Sequence, residues 1–464
     1  MHARLTRLGR VARRALATAA ATGAAGLLGG CDAFFGTDVT NPNAVVEDQL
    51  ANPAAATALT NGAGASLTRA FTALYGPYGT VSDELSWIGS REFWSALDGG
   101  DIADPLNEYT DAAYPLMSEA RFVADYAATQ LEKLDQASTL RNRADLARAY
   151  LYAGTAYATI GHMYDDFVLG TDRLSETAPV GENNMSRMFD LAIERFDKGL
   201  AVARAINNAE LQQQLLGMRA KARYQKALWA KLKPARTRPG QPLIDDAGAV
   251  ADARAALAAM PSDYRWRLTP IANNNAALNL GFEMNQRLEI RAGNEYIVPE
   301  TPANTRPRAG LAGIRLTDPI TGQPDPVLAR AIDECCRQAA GELIAYTVVS
   351  AREMHLILAE AALAAGNTAE FVSRINTVRS LSGLPAYNGT SPTPEAMLIH
   401  TRRVNLFLQG HRLHDMYRFG LRADNWIPTS TAARRICFFP IANIERQANR
   451  SAPQPPQARP AYCT

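Results

Sequence analysis

The chain has 464 residues, enough for one large or two ordinary domains and a sizeable core. With 47% hydrophobic and 20% charged residues it has the composition of an ordinary folded protein, which excludes a disordered or low-complexity chain. The formal net charge is +2, but residues 1–30 hold five arginines and no acid; the remainder carries 43 basic and 46 acidic groups, net −3, and lacks the basic footprint of a nucleic-acid binder.

Residues 1–30 read as a lipoprotein signal peptide. Arg4, Arg7, Arg10, Arg13 and Arg14 form a basic leader, followed by an alanine-rich apolar run to Leu28. The run is interrupted and short of the roughly 20 continuous apolar residues that a membrane anchor needs. It ends Leu28-Gly29-Gly30-Cys31, with small residues beside the cut and a thiol to acylate, so Cys31 is the expected lipidation site. Acyl chains contribute about 0.8 kcal/mol per buried methylene, enough together to hold the protein on a membrane. Residues 31–43 form a tether containing Asn41-Pro42-Asn43, a turn signal.

Residues 44–261 read as an N-terminal helical part with aromatic loops. Trp87 and Trp94, two of the five tryptophans, fall close together among glycines and acids. Aromatics in a polar, loop-rich setting offer flat apolar faces beside hydrogen-bonding groups, which suits sugar rings; the alternative is that they belong to the core. Asp98, Asp101 and Asp104 do not have the spacing of a calcium loop and read as a turn. Helices are predicted over 143–166, 185–206, 211–232 and 246–260 from apolar residues advancing by threes and fours. The basic run Lys231, Lys233, Arg236 and Arg238 reads as a solvated tail at a helix end.

Residues 262–345 accumulate asparagine, proline and glycine and read as a loop-rich insertion. It contains Trp266, Arg291, Tyr296 and Arg306. Residues 346–464 return to helical hairpins and a closing segment. Ala351 to Gly366 is a helix with a glycine stop. Asn367 caps the next helix, with Glu370 placed to reach back. Thr393-Pro394 opens a third, whose stripe Met397, Thr401, Val404, Leu408 and His411 predicts a helix through His411. Residues 436–441 read as a short buried strand or extended segment, and the proline-rich tail as extended. The expected fold is therefore all-α in the main: a tetratricopeptide-like helical-repeat scaffold with long loop-rich insertions, its repeats diverged.

Several polar residues inside these helices go beyond what periodicity requires. They are Arg352, Glu353 and Glu360, then Asn376 and Arg379, then Arg402, Arg403, Arg412, Asp415 and Arg418, set among Leu358, Ala359, Ala361, Ile375, Val378, Gly383, Leu384, Leu406, Gly410, Phe419 and Gly420. This order resembles the C-terminal half of the SusD/RagB family of surface nutrient-binding lipoproteins. Asn405 and Gln409 stand where the family usually has glutamates, and Ala442 where its closing Pro-Ile-Pro has a second proline. Asp38 to Asn43 is similar to the family's opening. The resemblance implies one domain over 31–464. It also implies a protein without catalytic activity or cofactor that captures oligosaccharides or other oligomeric nutrients on the outer-membrane surface. Its partner would be a SusC-like TonB-dependent β-barrel transporter. Trp87, Trp94, Asp101, Arg291 and Tyr296 are the candidate ligand contacts, the last two by their location in the insertion.

Four cysteines besides Cys31 suit two disulfides, with three connectivities open. Cys335 and Cys336 are expected to bond to Cys437 and Cys463, since a vicinal bridge strains the backbone. His411 and His414, three apart, could share a metal but read more simply as packing residues. No Walker loop, His-Glu-x-x-His or Gly-x-Ser-x-Gly is present. The competing readings are a helical-repeat scaffold for protein or peptide partners and a surface glycan hydrolase.

Overall fold

The computed structural model describes residues 52–170, 176–233, 235–270, 279–299, 307–337, 343–453 and 463. Cys31, the leader, the opening motif at 38–43, Arg306 and most of the proline-rich tail lie outside them. The helices named by periodicity form: α4 (Arg143–Met163), α5 (Arg187–Ala205), α6 (Ala209–Leu232), α7 (Ala247–Ala259), α10 (Ala351–Ala364) and α11 (Thr368–Ser380). Side chains cap them as expected. Asn142, Asn208, Asp246 and Asn367 each accept a hydrogen bond from the first turn they precede, satisfying a donor that the helix leaves open. Glu370 does not reach back to the cap; it pairs with Arg254 and Arg374.

Two long helices precede the first helix that periodicity predicted: α1 (Ala56–Ser82) and α3 (Glu108–Gln136), separated by β1 (Leu85–Trp87) and α2 (Glu92–Asp98). Pro77 and Pro115 lie inside them. A proline removes one helical hydrogen bond, at a cost of about 3 kcal/mol. Here burial outweighs that, because Phe71, Leu74, Tyr78, Tyr114 and Met117 on either side of the prolines are core residues. Helices then pack in chain order, α1 on α3, α3 on α4, and so on through α7, which meets α10 and its hairpin partner α11. This is the expected tetratricopeptide-like array.

The insertion is tied down on both sides. β2 (Arg265–Leu268) pairs antiparallel with β4 (Tyr346–Ser350), with an irregularity between Trp266 and Arg267. β3 (Ile290–Ala292), preceded by α8 (Leu280–Asn285), pairs antiparallel with β1. α9 (Pro326–Cys335) follows. Among the described residues, the segment read as loops therefore carries two α-helices and two strands, and the strands' partners lie outside it. That long-range pairing leaves no local trace.

The helix predicted through His411 divides in two. α12 (Pro394–Asn405) stops, and α13 (Arg412–Phe419) starts afresh. Between them Leu408 and Gly410 take positive φ of 52° and 76°. Gly410 is needed on contact grounds too, since a Cβ there would lie 2.5 Å from Cε of Met163. The break is held from outside: the Leu408 N–H donates to Glu84 Oε1 at 2.8 Å, and His162 Nε2 lies 2.8 Å from the Gly410 carbonyl.

The polar residues of the motif are buried structural links. Arg418 and Glu360, both fully buried, form a bidentate pair. Tyr224 of α6 donates to Glu360 at 2.8 Å and accepts from Arg418 at 2.9 Å. Asp415 accepts from Arg418 at 2.8 Å and from Arg402 at 2.8 Å. Two arginines and two carboxylates thus join α6, α10, α12 and α13 with balanced charge. Burial pushes the Asp415 carboxyl up, but Arg402 and Arg418 hold it well below the usual carboxylate range. Asn405 accepts from Arg352 at 2.8 Å, and Arg352 turns its other edge to Asp263 at 2.6 Å.

Two sequence expectations are corrected. Lys233 and Arg236 are not a solvated tail: both donate to the fully buried carboxylate of Asp165, at 2.5 and 2.9 Å. The disulfides are Cys335–Cys336 and Cys437–Cys463, not the crossed pairing. The end of α9 and the 436–441 segment are held by different partners. The first belongs to the insertion, while Phe439 of the second bridges Tyr164 at the end of α4. Folding therefore separates the cysteines that sequence reasoning had paired. His411 faces Glu353, whereas His414 Nδ1 lies 2.6 Å from the Tyr78 hydroxyl and its ring stacks on His162. The two rings serve different partners. Among the described residues, no helix is long and apolar enough to cross a membrane.

Candidate functional site

Strand β1 follows α1 through Asp83, whose backbone turns left-handed at φ 86°. The turn is stabilised by its side chain, which accepts two hydrogen bonds from Arg412 at 2.9 and 2.7 Å and one from the Tyr296 hydroxyl at 2.9 Å. Register then sets Ser86 opposite Arg291 and Trp87 opposite Ile290. The turn into α2 is fixed by Glu289, whose carboxylate accepts from the N–H groups of Ser90 and Arg91 at 2.9 and 3.0 Å. The two-stranded β1–β3 unit and α2 are thereby held as one rigid support.

On the face shared by Ser86 and Arg291, Asn425, a residue no sequence signal singled out, meets Ser86 and Asp98, while Trp87, opposite Ile290, points to the other face of the strand pair. Trp87 is partly buried, packs against the core, and its indole Nε1–H has no acceptor. Arg291 donates to Asn294 Oδ1 at 2.7 Å, while its Nε–H has no partner. Asn425 donates to both oxygens of Asp98, at 3.1 and 3.2 Å. Burial is the main influence on Arg291 and lowers its pKa, followed by the nearby Arg315; Asp98 acts in the opposite sense. The Arg291 face thus carries guanidinium and amide donors and a carboxylate acceptor, which can exchange hydrogen bonds with a hydroxylated ligand, and the indole of Trp87 lies on the opposite, core-packed face.

The other three candidates are placed differently. Trp94 is 2% exposed and stacks on Tyr109 with ring centroids 3.8 Å apart. Tyr296 is 0% exposed, beneath the guanidinium of Arg403 at 4.3 Å. Neither offers a face to a ligand; they are core supports, and the reading of them as contacts is corrected. Alternation explains Trp94, because α2 must bury one side and Trp94 with Leu97 supplies it. Asp101 is half-buried in the turn after α2 and accepts from Thr431 Oγ1 at 3.4 Å. Asp104 accepts from the Leu106 N–H at 2.9 Å, so the aspartates there build a turn.

Burial pushes the Asp98 carboxyl up from 3.8 to about 6, against the hydrogen bond from Asn425. A raised carboxyl holds a proton in the folded state that the unfolded chain has released. Its contribution is most favourable below about pH 4, is lost as pH rises to about 6, and is constant beyond that. Asp98→Asn is therefore expected to stabilise the protein by about 1–2 kcal/mol at pH 7.5 and by little at pH 4. Urea melts of both proteins at the two pH values check this. A stability gap independent of pH would contradict the shift.

The fold and these residues define a class: a tetratricopeptide-like helical scaffold whose insertion strand β3 pairs with β1 and carries a polar face. Residues 351–457 match the model of the SusD family. The solved structures agree. A putative sugar binding protein from Bacteroides vulgatus aligns over 88% of this chain and 98% of its own at TM-score 0.60, with 12% identity. A SusD superfamily protein from Parabacteroides distasonis covers 87% and 98% at 0.57, with 13% identity. A SusD-like carbohydrate binding protein from Bacteroides vulgatus covers 88% and 98% at 0.54, with 11% identity. None of the curated proteins matches the sequence. The chain is thus SusD/RagB-like, by sequence over its C-terminal part and by fold over most of its length.

Proposed function

We propose that this protein is a non-catalytic, lipid-anchored receptor on the outer-membrane surface that captures oligosaccharides or other oligomeric nutrients. It passes them to a SusC-like TonB-dependent transporter. The observation that carries this reading is the SusD-family match over 351–457, set in a fold shared with proteins described as sugar or carbohydrate binding. The lipobox at Cys31 supports the anchor. Arg291, Asn425 and Asp98 provide polar contacts on one face of the β1–β3 pair and Trp87 an aromatic contact on the other; Asp101 supports the loop beside them.

Trp87→Ala is expected to weaken binding of a cognate neutral glycan by roughly tenfold or more, the effect of losing a central aromatic anchor. Isothermal titration against a panel of neutral oligosaccharides measures it, with circular dichroism to confirm folding. Unchanged affinity in a folded variant removes the Trp87 surface as the site. Purification of the tagged protein from native outer membrane tests the partner: a large β-barrel that co-purifies supports delivery, and recovery of the lipoprotein alone argues for a free-standing binder.

A further inference from the structure

Strand β2 and its flanks line two hollows that share no residue with the Trp87 surface. The first is open to solvent and about 300 Å³ in volume, at the lower end of the roughly 300–1,000 Å³ of small-molecule sites. Its floor includes Tyr152 of α4, partly exposed, whose ring stacks at 23° on that of Trp266 of β2, 9% exposed, with centroids 6.4 Å apart. Gly64 of α1 makes room for this platform, because a Cβ there would come within 3.1 Å of the Tyr152 ring. Asn61, Thr269 and Arg267 add polar groups to the wall.

The second hollow, about 80 Å³, is lined by Arg265, Arg330 and Arg352, with Glu334 the one carboxylate among its lining residues. Glu334 also links the two hollows. Its Oε2 accepts from Arg265 at 2.8 Å on one side and from Arg267 at 2.7 Å on the other. Asp263 is the acid paired with Arg330, at 3.3 Å, and Arg352, at 2.6 Å. Among the described residues, these four guanidinium groups pair with Glu334 and Asp263. Three of them remain reachable from water, with side chains 43% exposed for Arg330, 30% for Arg267 and 26% for Arg265.

An aromatic platform joined to an arginine group in cationic excess matches a ligand that carries both a sugar ring and a negative charge. We propose that β2 builds a second ligand site, specific for acidic oligosaccharides of the uronic acid class. A pyranose face lies on Tyr152, which Trp266 backs from the core, and the ring's carboxylate is bound by Arg267, whose planar fork suits bidentate recognition; the fork of Arg265 is taken by Glu334. The ligand class rests on the glycan-binding reading above, but the location does not.

The probe is tri-galacturonate, titrated calorimetrically into the mature protein beside a neutral galactotriose. Wild type is expected to bind the acidic probe, and to bind it more weakly as NaCl rises from about 50 to about 500 mM. Tyr152→Ala and Arg267→Gln should each weaken it by roughly tenfold, while Tyr152→Phe and Trp87→Ala leave it unchanged. Thermal melts identify any variant that has lost its fold, and Tyr152→Phe keeps the ring if Tyr152→Ala does not fold. Loss of acidic-probe binding in Trp87→Ala, with none in the two β2-site variants, assigns the acid to the Trp87 surface and overturns the proposal. Binding of the neutral probe alone overturns it and leaves the glycan reading intact. Binding of neither probe, nor of any glycan in the panel, overturns both.

Discussion

Arg418→Met is expected to cost about 3–5 kcal/mol of stability, the largest effect of any single substitution considered. Arg418 is fully buried, and its removal leaves Glu360 and Asp415 facing Arg402 alone, so one buried negative charge loses its counterpart. The Tyr224 hydroxyl also loses a donor. The cost comes from the stranded charge more than from the lost pair, and that can be separated. Arg418→Met combined with Glu360→Leu restores charge balance, because Arg402 and Asp415 still pair at 2.8 Å. The double variant should recover at least about 1 kcal/mol relative to Arg418→Met. Urea denaturation gives both numbers. Two substitutions whose costs simply add would show that the tetrad is not coupled. Glu360→Gln, which keeps shape and some hydrogen bonds, serves if Arg418→Met does not fold.

Replacing Cys437 and Cys463 with alanine is expected to destabilise the protein by about 3 kcal/mol, the chain-entropy value for a closed loop whose ends are 26 residues apart. This bridge fastens Cys463, near the chain end, to the buried 436–441 segment, where Phe439 bridges Tyr164 at the end of α4. The loss should appear in melts of the double variant and in wild type treated with reductant. Digestion without reduction should yield a peptide containing Cys437 joined to one containing Cys463, with Cys335 and Cys336 bridged within a single peptide. Crossed peptides joining 335 or 336 to 437 or 463 would contradict the pairing.

The site was only partly legible. Trp87 and Arg291 came to notice from composition and location, but the register turns them to opposite faces of the β1–β3 pair, Trp87 with Ile290 and Arg291 with Ser86. Nothing in the sequence could have brought in Asn425, which reaches Asp98 from more than 300 positions away. Trp94 and Tyr296 look the same as Trp87 in sequence. They differ because Trp94, on α2, packs against Tyr109 of α3 and Tyr296 lies beneath Arg403 of α12, and burial is a property of neighbours, not of residue type. The Tyr152–Trp266 platform was hidden in the same way, one ring in a clear helix and the other in a segment read as loop.

Short-range chemistry was sufficient for most of the scaffold. Caps at Asn142, Asn208, Asp246 and Asn367 and stripes of period 3.6 act within a few residues, so helix limits can be read directly from the chain. The polar residues of 351–420 likewise carry enough order to point to the family. Packing decided the rest. Pro77 and Pro115 stay helical because burial around them outweighs one missing hydrogen bond. α12 and α13 separate because Glu84 and Met163 meet the chain at Leu408 and Gly410. The insertion is ordered by strands whose partners lie far away in sequence. Such contacts are made between segments that local propensity treats as independent, so they exist only once the chain has folded.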